Sequence, residues 1–465
     1  MNKKMILAAT CAVACASMAL AEVKVAPVFG DDMVLQRELP VPVWGTASPG
    51  EKVSVSFAGQ TLSATADDAG KWRVKLAPLK TSTVGKEMTV KGSNTLTFNG
   101  VVVGEVWLCS GQSNMAGRFV ESKGRRIDPG IFEMDLSGFR FNNANGWSVL
   151  SHKTQSQISC VAYFFGIELY KELDIPIGLI QRYNSATPIQ AWMPKDAAET
   201  IRKELNIPVG WNDVQDIRNP AVQFDDKIAP IVPLAFRGVI WYQGERNAKA
   251  FTGWEYRWLL PFHIKTWREL WAKQAGTEPR NFPFYYVQVP TQESPVDAEW
   301  PWLRDGMRRA LDLTENTGMA VFYDYGPSLH PENKEPSGQR LALWALAKDY
   351  QRDIVYSGPL LDNVQIKGSQ AVLTFKHVGG GLKNKSGGKA LKFFEMAGKD
   401  GTYAAAEARI EGDTVVVQSQ NIPAPVYVRY LFRKPEPNPE VSLINAEGLP
   451  ASSFITDEFK PPRER

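Results

Sequence analysis

Hydrophobic and polar residues follow different patterns in three successive parts of the chain. From about residue 22 to 98, apolar residues stand at every second position, as in Val53-Ser54-Val55 and Trp72-Arg73-Val74, which predicts half-buried strands. From about 100 to 350, continuous apolar runs alternate with helical patterns, which is typical of a parallel sheet covered by helices on both faces. From about 356 the strand pattern returns.

The middle part supplies the apolar runs that we expect to form its core. Strands are predicted at residues 101–108, 177–180, 234–242, 284–289 and 319–323, and helices near 161–169, 253–272, 301–313 and 337–350. The sequence therefore predicts an α/β domain flanked by two β-sandwich-like modules. The expected divisions are a leader at 1–21, an N-terminal β module at 22–98, the α/β domain at 99–352 and a C-terminal β-rich module at 353–465.

The first 21 residues have the pattern of a cleaved secretory signal. Lys3 and Lys4 precede an apolar stretch, and Ala19-Leu20-Ala21 is typical of a cleavage site. The stretch is too short to favour a membrane span, and a lipoprotein anchor at Cys15 is a minor alternative. We therefore expect a secreted or periplasmic protein, two locations that the signal does not distinguish.

Composition excludes several classes of function. The 465 residues carry a formal net charge of +3, and the basic residues are scattered, so no nucleic-acid surface is expected. Of the four cysteines, only Cys109 and Cys160 follow the predicted signal. They are able to form one disulfide, although Cys109 is expected to pack beneath the turn that follows its strand. Because no cysteine–histidine cluster occurs, we expect no metal site, and no cofactor is predicted.

Ser113 is the candidate nucleophile. The apolar run that ends at Leu108 predicts a buried strand, and Ser113 follows it at the turn into a helix. A hydroxyl at this place lies at the carboxyl edge of a parallel sheet, beside backbone N–H groups. A serine nucleophile also needs a base.

His330 is the candidate base. The chain has four histidines, and His263 and His377 lie in a helical stretch and after a late strand, while His152 lies in a polar loop. His330 alone follows a strand of the predicted parallel sheet, shortly after Asp324 at the end of that strand. On this spacing, a histidine that merely caps its loop is an equally good interpretation.

Polar residues follow several of the predicted strands directly. The four loops that carry them are 111–114, 184–188, 243–247 and the segment from Asp324 to His330. Ligands of open α/β sheets bind at this edge, and acyl transfer needs a nucleophile, a base and oxyanion donors. The convergence of serine, amides and histidine therefore favours an acyl-transfer site.

Five stretches of the sequence, taken together, match the motifs of a known family. The sequence resembles the sialate O-acetylesterases, within the SGNH-type carbohydrate esterases, over essentially the whole mature chain. The matching stretches are Trp107–Met115, Trp241–Glu245, His330–Lys334, Phe29–Arg37 and Asn445–Pro450. The resemblance implies an SGNH-hydrolase-like fold and hydrolysis of acetyl esters on sugar hydroxyls, without a metal.

The resemblance also implies roles for individual residues. Ser113 would be the nucleophile and His330 the base. The oxyanion hole would consist of the Ser113 N–H, an N–H from the Ser185–Ala186 loop and the Gln243 side chain. Family members usually have two glycines at the positions of Ser185 and Ala186, so a positive φ there would be costly.

Two further departures leave alternatives open. Ser328 stands where the family often has an aspartate, so Asp324 could orient His330, a backbone carbonyl could do so, or the site could work as a dyad. Glu245 and Arg246 are candidate substrate-binding residues. Arg246 either pairs with Glu245 or another acid, or meets a sialate carboxylate.

Three functions remain in view. The first is a secreted esterase that removes O-acetyl groups from sialic acids or related sugars. The tryptophans Trp192 and Trp241 are candidates for stacking on the sugar ring, although core packing is at least as good an interpretation of Trp241, which ends a buried strand. The second is an acetylesterase of plant polysaccharide such as acetylxylan. The third is a carbohydrate-binding protein on a degenerate esterase scaffold, which Ser185-Ala186 and Ser328 keep open. In each case the expected partner is an acetylated sugar or glycan.

Overall fold

A computed structural model describes the chain from residue 22 to 461 with internal gaps. The described residues are 22–119, 127–207, 218–250, 252–276, 280–290, 299–325, 328–432 and 441–461. The predicted signal segment, 1–21, lies outside them.

The strands and helices have the following bounds. The strands are β1 Lys24–Val25, β2 Val34–Gln36, β3 Val41–Thr46, β4 Lys52–Phe57, β5 Gln60–Thr65, β6 Lys71–Leu76, β7 Ser82–Lys91, β8 Thr95–Gly111, β9 Phe139–Asn143, β10 Gly146–Val149, β11 Ile177–Tyr183, β12 Gly238–Tyr242, β13 Phe284–Gln288, β14 Thr317–Val321, β15 Leu360–Lys367, β16 Gln370–Lys376, β17 Leu382–Asn384, β18 Ala390–Ala397, β19 Tyr403–Glu411, β20 Thr414–Gln418, β21 Tyr427–Tyr430, β22 Leu443–Asn445 and β23 Phe454–Ile455. The α-helices are α1 Ser113–Ala116, α2 Cys160–Leu173, α3 Lys195–Glu204, α4 Glu245–Lys249, α5 Tyr256–Ala275, α6 Trp300–Leu313 and α7 Glu335–Lys348.

The centre of the fold is a sheet with the strand order β10-β9-β11-β8-β12-β13-β14. All neighbours pair in parallel except the edge strand β10, which pairs antiparallel with β9. Helix α2 packs against α7, and α5 packs against α6. One helix of each pair, α7 of the first and α6 of the second, also contacts β13 and β14. The predicted α/β fold with an SGNH-like parallel sheet is confirmed.

The register of the sheet defines the edge at which loops meet. Gly111, the last residue of β8, lies opposite Tyr183 of β11 on one side and Tyr242 of β12 on the other. Because parallel strands point the same way, the loops after these three strands leave the sheet at one level. This edge is where Ser113 begins α1.

Strand β8 is longer than the apolar run from which it was predicted. It begins at Thr95, pairs with β7 and β2 of the N-terminal region, and continues into the central sheet. One strand therefore passes through the predicted division at residue 98. The remaining N-terminal strands include a separate sheet of β1, β3 and β6.

The C-terminal region is rich in strands, as its alternating pattern indicates. It contains a seven-stranded antiparallel sheet from β15 to β23 and a small sheet of β17 and β22. Helix α6 attaches to this region, since Arg309 donates to the Ile455 and Asp457 carbonyls and forms an ion pair with Glu458.

Some details differ from expectation. The strand predicted from residue 234 begins at Gly238, and the hairpin of β9 and β10 has no counterpart in the predicted elements. Cys109 and Cys160 are both buried, and the disulfide considered between them does not form. In the part of the chain that the structure describes, no helix has both the length and the apolar character needed to cross a bilayer.

Candidate active site

A sharp turn between β8 and α1 presents Ser113. Gly111 has φ of 141°, and a Cβ on it would lie 2.1 Å from the Tyr242 carbonyl oxygen, so only glycine fits against β12. Gln112 N–H donates to the same carbonyl at 2.9 Å. Ser113 then opens α1, where the helix itself offers no acceptor for its N–H. The turn therefore leaves both the hydroxyl and the N–H of Ser113 at the sheet edge.

His330 lies against this hydroxyl. The distance from His330 Nε2 to Ser113 Oγ is 2.9 Å, which is a hydrogen bond in the geometry that a nucleophile and its base require. The other histidines are engaged elsewhere: His263 is fully buried beside Trp241 and Trp267, and its burial lowers its pKa to about 3. His152 stacks on a phenylalanine, and His377 packs on a tyrosine and a tryptophan.

Asn114 ties the serine turn to the histidine loop. Its Nδ2 donates to the Leu329 carbonyl at 2.9 Å, immediately before His330. Within the loop, the His330 N–H donates to Ser328 Oγ at 3.2 Å. The distance between Ser113 and His330 thus depends on the buried side-chain amide of a third residue, Asn114.

The contacts of Asp324 give its proposed role no support. Both carboxylate oxygens accept from the guanidinium of Arg340, at 2.7 Å each, in the paired geometry that stabilises such ion pairs. Arg340 also donates to the Val321 carbonyl at the end of β14. Asp324 thus fixes α7 to the sheet, and its assignment as third triad member stays a prediction.

The Ser185–Ala186 loop lies beside the nucleophile strand. Asn184 N–H donates to the Gly111 carbonyl at 3.1 Å, which holds the start of the loop two residues from Ser113. Ala186 has φ of 58°, the left-handed conformation that costs a residue with a Cβ about 1–2 kcal/mol. The Ala186 carbonyl accepts from Arg218 Nε at 3.1 Å. A backbone N–H of this loop remains a candidate oxyanion donor.

Gln243 does not have the surroundings of an oxyanion donor. Its side chain is fully buried, and Nε2 donates to Thr187 O at 3.1 Å, Asn247 Oδ1 at 2.9 Å and Gln112 Oε1 at 3.2 Å. Tyr256 donates its hydroxyl to Gln243 Oε1 at 2.9 Å. An amide nitrogen has two hydrogens, and protein acceptors occupy them. The predicted oxyanion role of Gln243 therefore lacks support.

The side chain of Gln112 accepts a hydrogen bond from Gln243. Its Oε1 also accepts from the backbone N–H of Arg246 at 3.3 Å, in the first turn of α4. This backbone donor fixes which end of the Gln112 amide faces α4. The Gln243 network thus connects the loops that follow β8, β11 and β12 and holds the residue next to Ser113.

Glu245 is buried beneath the site, 1% exposed, and does not face the open edge. Its Oε1 accepts from Asn114 Nδ2, while Oε2 has no hydrogen-bond partner. Lys334, 5% exposed, donates to Asn114 Oδ1 from the other side. Burial raises the pKa of Glu245, and burial lowers that of Lys334 to about 8 despite the nearby carboxylate.

Neither Glu245 nor the two candidate tryptophans have the surroundings expected of residues that contact substrate. Glu245 is too deeply buried to touch substrate, and it forms no ion pair with Arg246. Trp192 and Trp241 are fully buried and pack edge to face, with ring centroids 5.8 Å apart. Both tryptophans therefore belong to the core and do not offer a stacking surface to a sugar.

Comparisons with known proteins agree with this arrangement. The family described as "Carbohydrate esterase, sialic acid-specific acetylesterase" matches residues 103–297, a range that contains Ser113 and ends before His330. XAC1771, a carbohydrate acetylesterase from Xanthomonas citri, is 30% identical, with a TM-score of 0.82 over 94% of this chain and 100% of its own. This chain belongs to the sialate O-acetylesterase family of carbohydrate esterases. It is therefore a carboxylic ester hydrolase.

Curated relatives carry the same family name. The sialate O-acetylesterase of Homo sapiens is 28% identical over 399 residues, 75% of this chain and 75% of the human protein. That of Mus musculus is 26% identical over 427 residues, 74% of this chain and 77% of the mouse protein. The likeness thus extends well beyond the nucleophile motif.

Sequence reasoning missed the buried residues that hold the site together. Asn114 and Lys334 stand inside the quoted motifs, directly after Ser113 and four residues after His330, but no pattern shows that they meet. Lys334 begins α7 as its N-cap residue, and Asn114 lies in α1. The sequence did offer one signal for this contact, since a polar residue follows each catalytic candidate: Asn114 after Ser113 and Lys334 after His330.

Proposed function

We propose that this chain is a secreted serine esterase that removes O-acetyl groups from sialic acids or related acetylated sugars. The observation that carries the proposal is the 2.9 Å hydrogen bond between Ser113 Oγ and His330 Nε2 at the carboxyl edge of the sheet. The names of the human and mouse relatives support sialates as substrates. The N-terminal signal pattern supports export.

The reaction proceeds in two steps. His330 takes the Ser113 proton as Oγ attacks the acetyl carbonyl, and the oxyanion is held by the Ser113 N–H and an N–H of the Ser185–Ala186 loop. The tetrahedral intermediate expels the sugar oxygen, which leaves with the proton from His330. Water then attacks the acetyl-serine with His330 again as base, releasing acetate and restoring Ser113.

The buried polar residues beneath the site, Asn114 and Gln243 among them, hold the reacting groups in place. Asn114 sets the separation of the Ser113 turn and the His330 loop, and Gln243 holds Gln112 in place. Reacting groups that are displaced by about 1 Å lose on the order of a hundredfold in rate. We assign Gln243 and Glu245 to this positioning role, and neither to substrate contact.

Acetate release from a substrate panel tests the proposal. The panel contains an O-acetylated sialic acid, an acetylated xylo-oligosaccharide and an aryl acetate, each assayed with the wild type and with Ser113→Ala. We expect release from the sugar acetates that falls by at least about a thousandfold in the variant. No release by folded wild-type protein would leave only the carbohydrate-binding alternative. Preference for xylan acetate would favour the polysaccharide esterase.

A further inference from the structure

A cleft at the carboxyl end of β11 contains a partly buried cation, Arg182. The cleft has a volume of about 560 Å³ and lies at the carboxyl end of β11, lined by Gln181, Arg182, Tyr183, Lys227 and residues of the β9–β10 turn. Arg182 lies opposite Ser110 in the pairing of β11 with β8, three residues before Ser113. Since neighbouring strands are about 4.8 Å apart, the cleft begins on the order of 10 Å from the nucleophile.

Arg182 has no acidic partner in the part of the chain that the structure describes. Its Nη1 donates to its neighbour, the Gln181 carbonyl, at 2.8 Å, and its Nη2 donates to Asn142 Oδ1 at 2.8 Å. Both acceptors are neutral. Burial lowers the pKa of Arg182 to about 10, and no carboxylate contributes to that value. A guanidinium has five N–H donors, so several remain for a ligand.

The other charges of the cleft do not neutralise Arg182. Asp226 is the acidic residue of the lining, and its carboxylate is bound by the adjacent Lys227 at 3.0 Å. Among the described residues of the lining, Arg182 therefore keeps a positive charge with which no carboxylate pairs.

We propose that Arg182 binds the carboxylate of an acidic sugar, whose acetyl ester then reaches Ser113. A guanidinium matches a carboxylate with two parallel hydrogen bonds, and a cleft of this volume accommodates a monosaccharide. A partly buried cation without a counter-ion has lost some of its hydration, and the substrate carboxylate offsets that loss on binding. The proposal rests on the esterase function, which it narrows to acidic sugars such as sialates or uronate-bearing glycans.

The Arg182 side chain lines an open cleft next to the nucleophile strand. In the sequence Arg182 is one polar residue at the end of an apolar strand, with nothing to mark it as a ligand-binding group.

Kinetics with matched substrates test the proposal. Wild type, Arg182→Gln and Arg182→Lys are assayed on O-acetylated N-acetylneuraminic acid, acetylated glucuronoxylo-oligosaccharide, neutral acetylated xylo-oligosaccharide and an aryl acetate. For Arg182→Gln we expect kcat/KM on an acidic substrate to fall about 10- to 100-fold, mainly through KM, because a charge-assisted pair is lost. Activity on the two neutral substrates should stay within about threefold, and Arg182→Lys should recover part of the loss. The acidic substrate that shows the loss distinguishes sialate from uronate.

Stability supplies a readout that a structural arginine would not give. Arg182→Gln removes a partly buried charge that no carboxylate compensates, so its midpoint of urea unfolding should equal or exceed that of wild type. Isothermal titration of Ser113→Ala with N-acetylneuraminic acid, and with neutral N-acetylmannosamine as control, should show carboxylate-dependent binding that is absent from the Ser113→Ala/Arg182→Gln double variant.

The two proposals fail in different ways. Loss of activity by Arg182→Gln on all substrates alike, an unchanged KM for acidic sugars, or activity of wild type on neutral sugars alone would overturn the carboxylate site and leave the esterase intact. Absence of aryl acetate hydrolysis by folded wild type would overturn the esterase itself.

Discussion

Two glutamates are buried at opposite ends of the central sheet, and their surroundings differ. Glu105 lies where β8 enters the sheet and accepts four hydrogen bonds, from Gln36, Arg37 and two nitrogens of Arg237, at 2.6 to 3.0 Å. Glu245 lies at the carboxyl edge and accepts from Asn114 on one oxygen, while the other has no partner.

The pKa values of the two carboxyl groups shift in opposite directions. Burial acts to raise the pKa of Glu105, but the hydrogen bonds and charge of Arg237, with hydrogen bonds from Arg37 and Gln36, lower it below the usual value. Burial raises the pKa of Glu245, and Asn114 and Lys334 offset this only in part. A fully satisfied ion network stabilises a junction, whereas an incompletely satisfied one beneath Ser113 indicates positioning for chemistry.

Removing the Glu105 charge should give the largest change in stability. Glu105→Gln leaves Arg37 and Arg237 without their buried counter-ion, so we expect a loss of about 3–5 kcal/mol in the free energy of unfolding, measured by urea denaturation. The matched control is Glu38→Gln, because Glu38 also contacts Arg237, at 3.3 Å, but is 61% exposed. It should cost less than about 1 kcal/mol. Equal effects of the two variants would contradict the contrast.

Asn114→Ala should affect activity more than Glu105→Gln does. It removes the hydrogen bond that ties the Ser113 turn to the Leu329 carbonyl, so we expect kcat to fall about 10- to 100-fold with KM little changed. Stopped-assay kinetics on an aryl acetate measure both constants, and Glu105→Gln, assayed where it is folded, serves as the control with near-normal kcat. A folded Asn114→Ala with full kcat would show that Asn114 does not position the pair.

The pH dependence of stability should have opposite signs at the two sites. Because the pKa of Glu245 is raised in the fold, ionisation of Glu245 costs stability as pH rises from 4.5 through that higher value. Glu245→Gln should therefore gain stability relative to wild type as pH rises towards neutrality.

Glu105 behaves in reverse, since its pKa is lowered. Its stabilisation is present above the unfolded-state pKa and is lost as pH falls through the lower folded value. The deficit of Glu105→Gln should thus shrink on acidification. The midpoints of urea unfolding of wild type and both variants, measured at several pH values from acidic to neutral, test this prediction. If the midpoints of all three proteins changed with pH in the same way, the proposed difference between Glu105 and Glu245 would be contradicted.

The smallest effect is expected in the Ser185–Ala186 loop. Ala186→Gly relieves a positive φ of 58°, and Ala58→Gly relieves one of 49° in the turn between β4 and β5, far from the site edge. Both should stabilise the fold by up to about 1 kcal/mol in urea denaturation. Neither should change kcat by more than about threefold, because a backbone N–H survives the substitution. A destabilised Ala186→Gly would mean that its Cβ makes contacts that outweigh the strain.

Sequence patterns predicted the parts of the site that depend on strand order. Continuous apolar runs mark β8, β11, β12 and β14, and the loops that follow such runs lie at the carboxyl edge of the sheet, which is how Ser113 after β8 and His330 after β14 were found. The same pattern identified the loop 184–188, and family resemblance supplied the oxyanion role of Ser185–Ala186 within it.

The remainder depends on contacts between distant segments. Nothing local shows that Arg340 would engage both oxygens of Asp324, or that Gln243 would point into the core. The division at residue 98 was placed where the pattern changes, but one strand, β8, belongs to both patterns. The role proposed for Arg182 has no sequence signal, because it depends on the lack of a carboxylate partner among the residues that the structure describes.

Detection of an acetyl-enzyme tests the central claim most directly. Wild type mixed rapidly with an aryl acetate, quenched in acid and digested should yield the peptide containing Ser113 with one acetyl group, formed at the rate of the initial burst of aryl alcohol. The same peptide from His330→Ala should carry far less acetyl at equal times. Steady hydrolysis with no acetylated peptide, or with acetyl on another residue, would contradict the assignment of Ser113 and His330 as nucleophile and base.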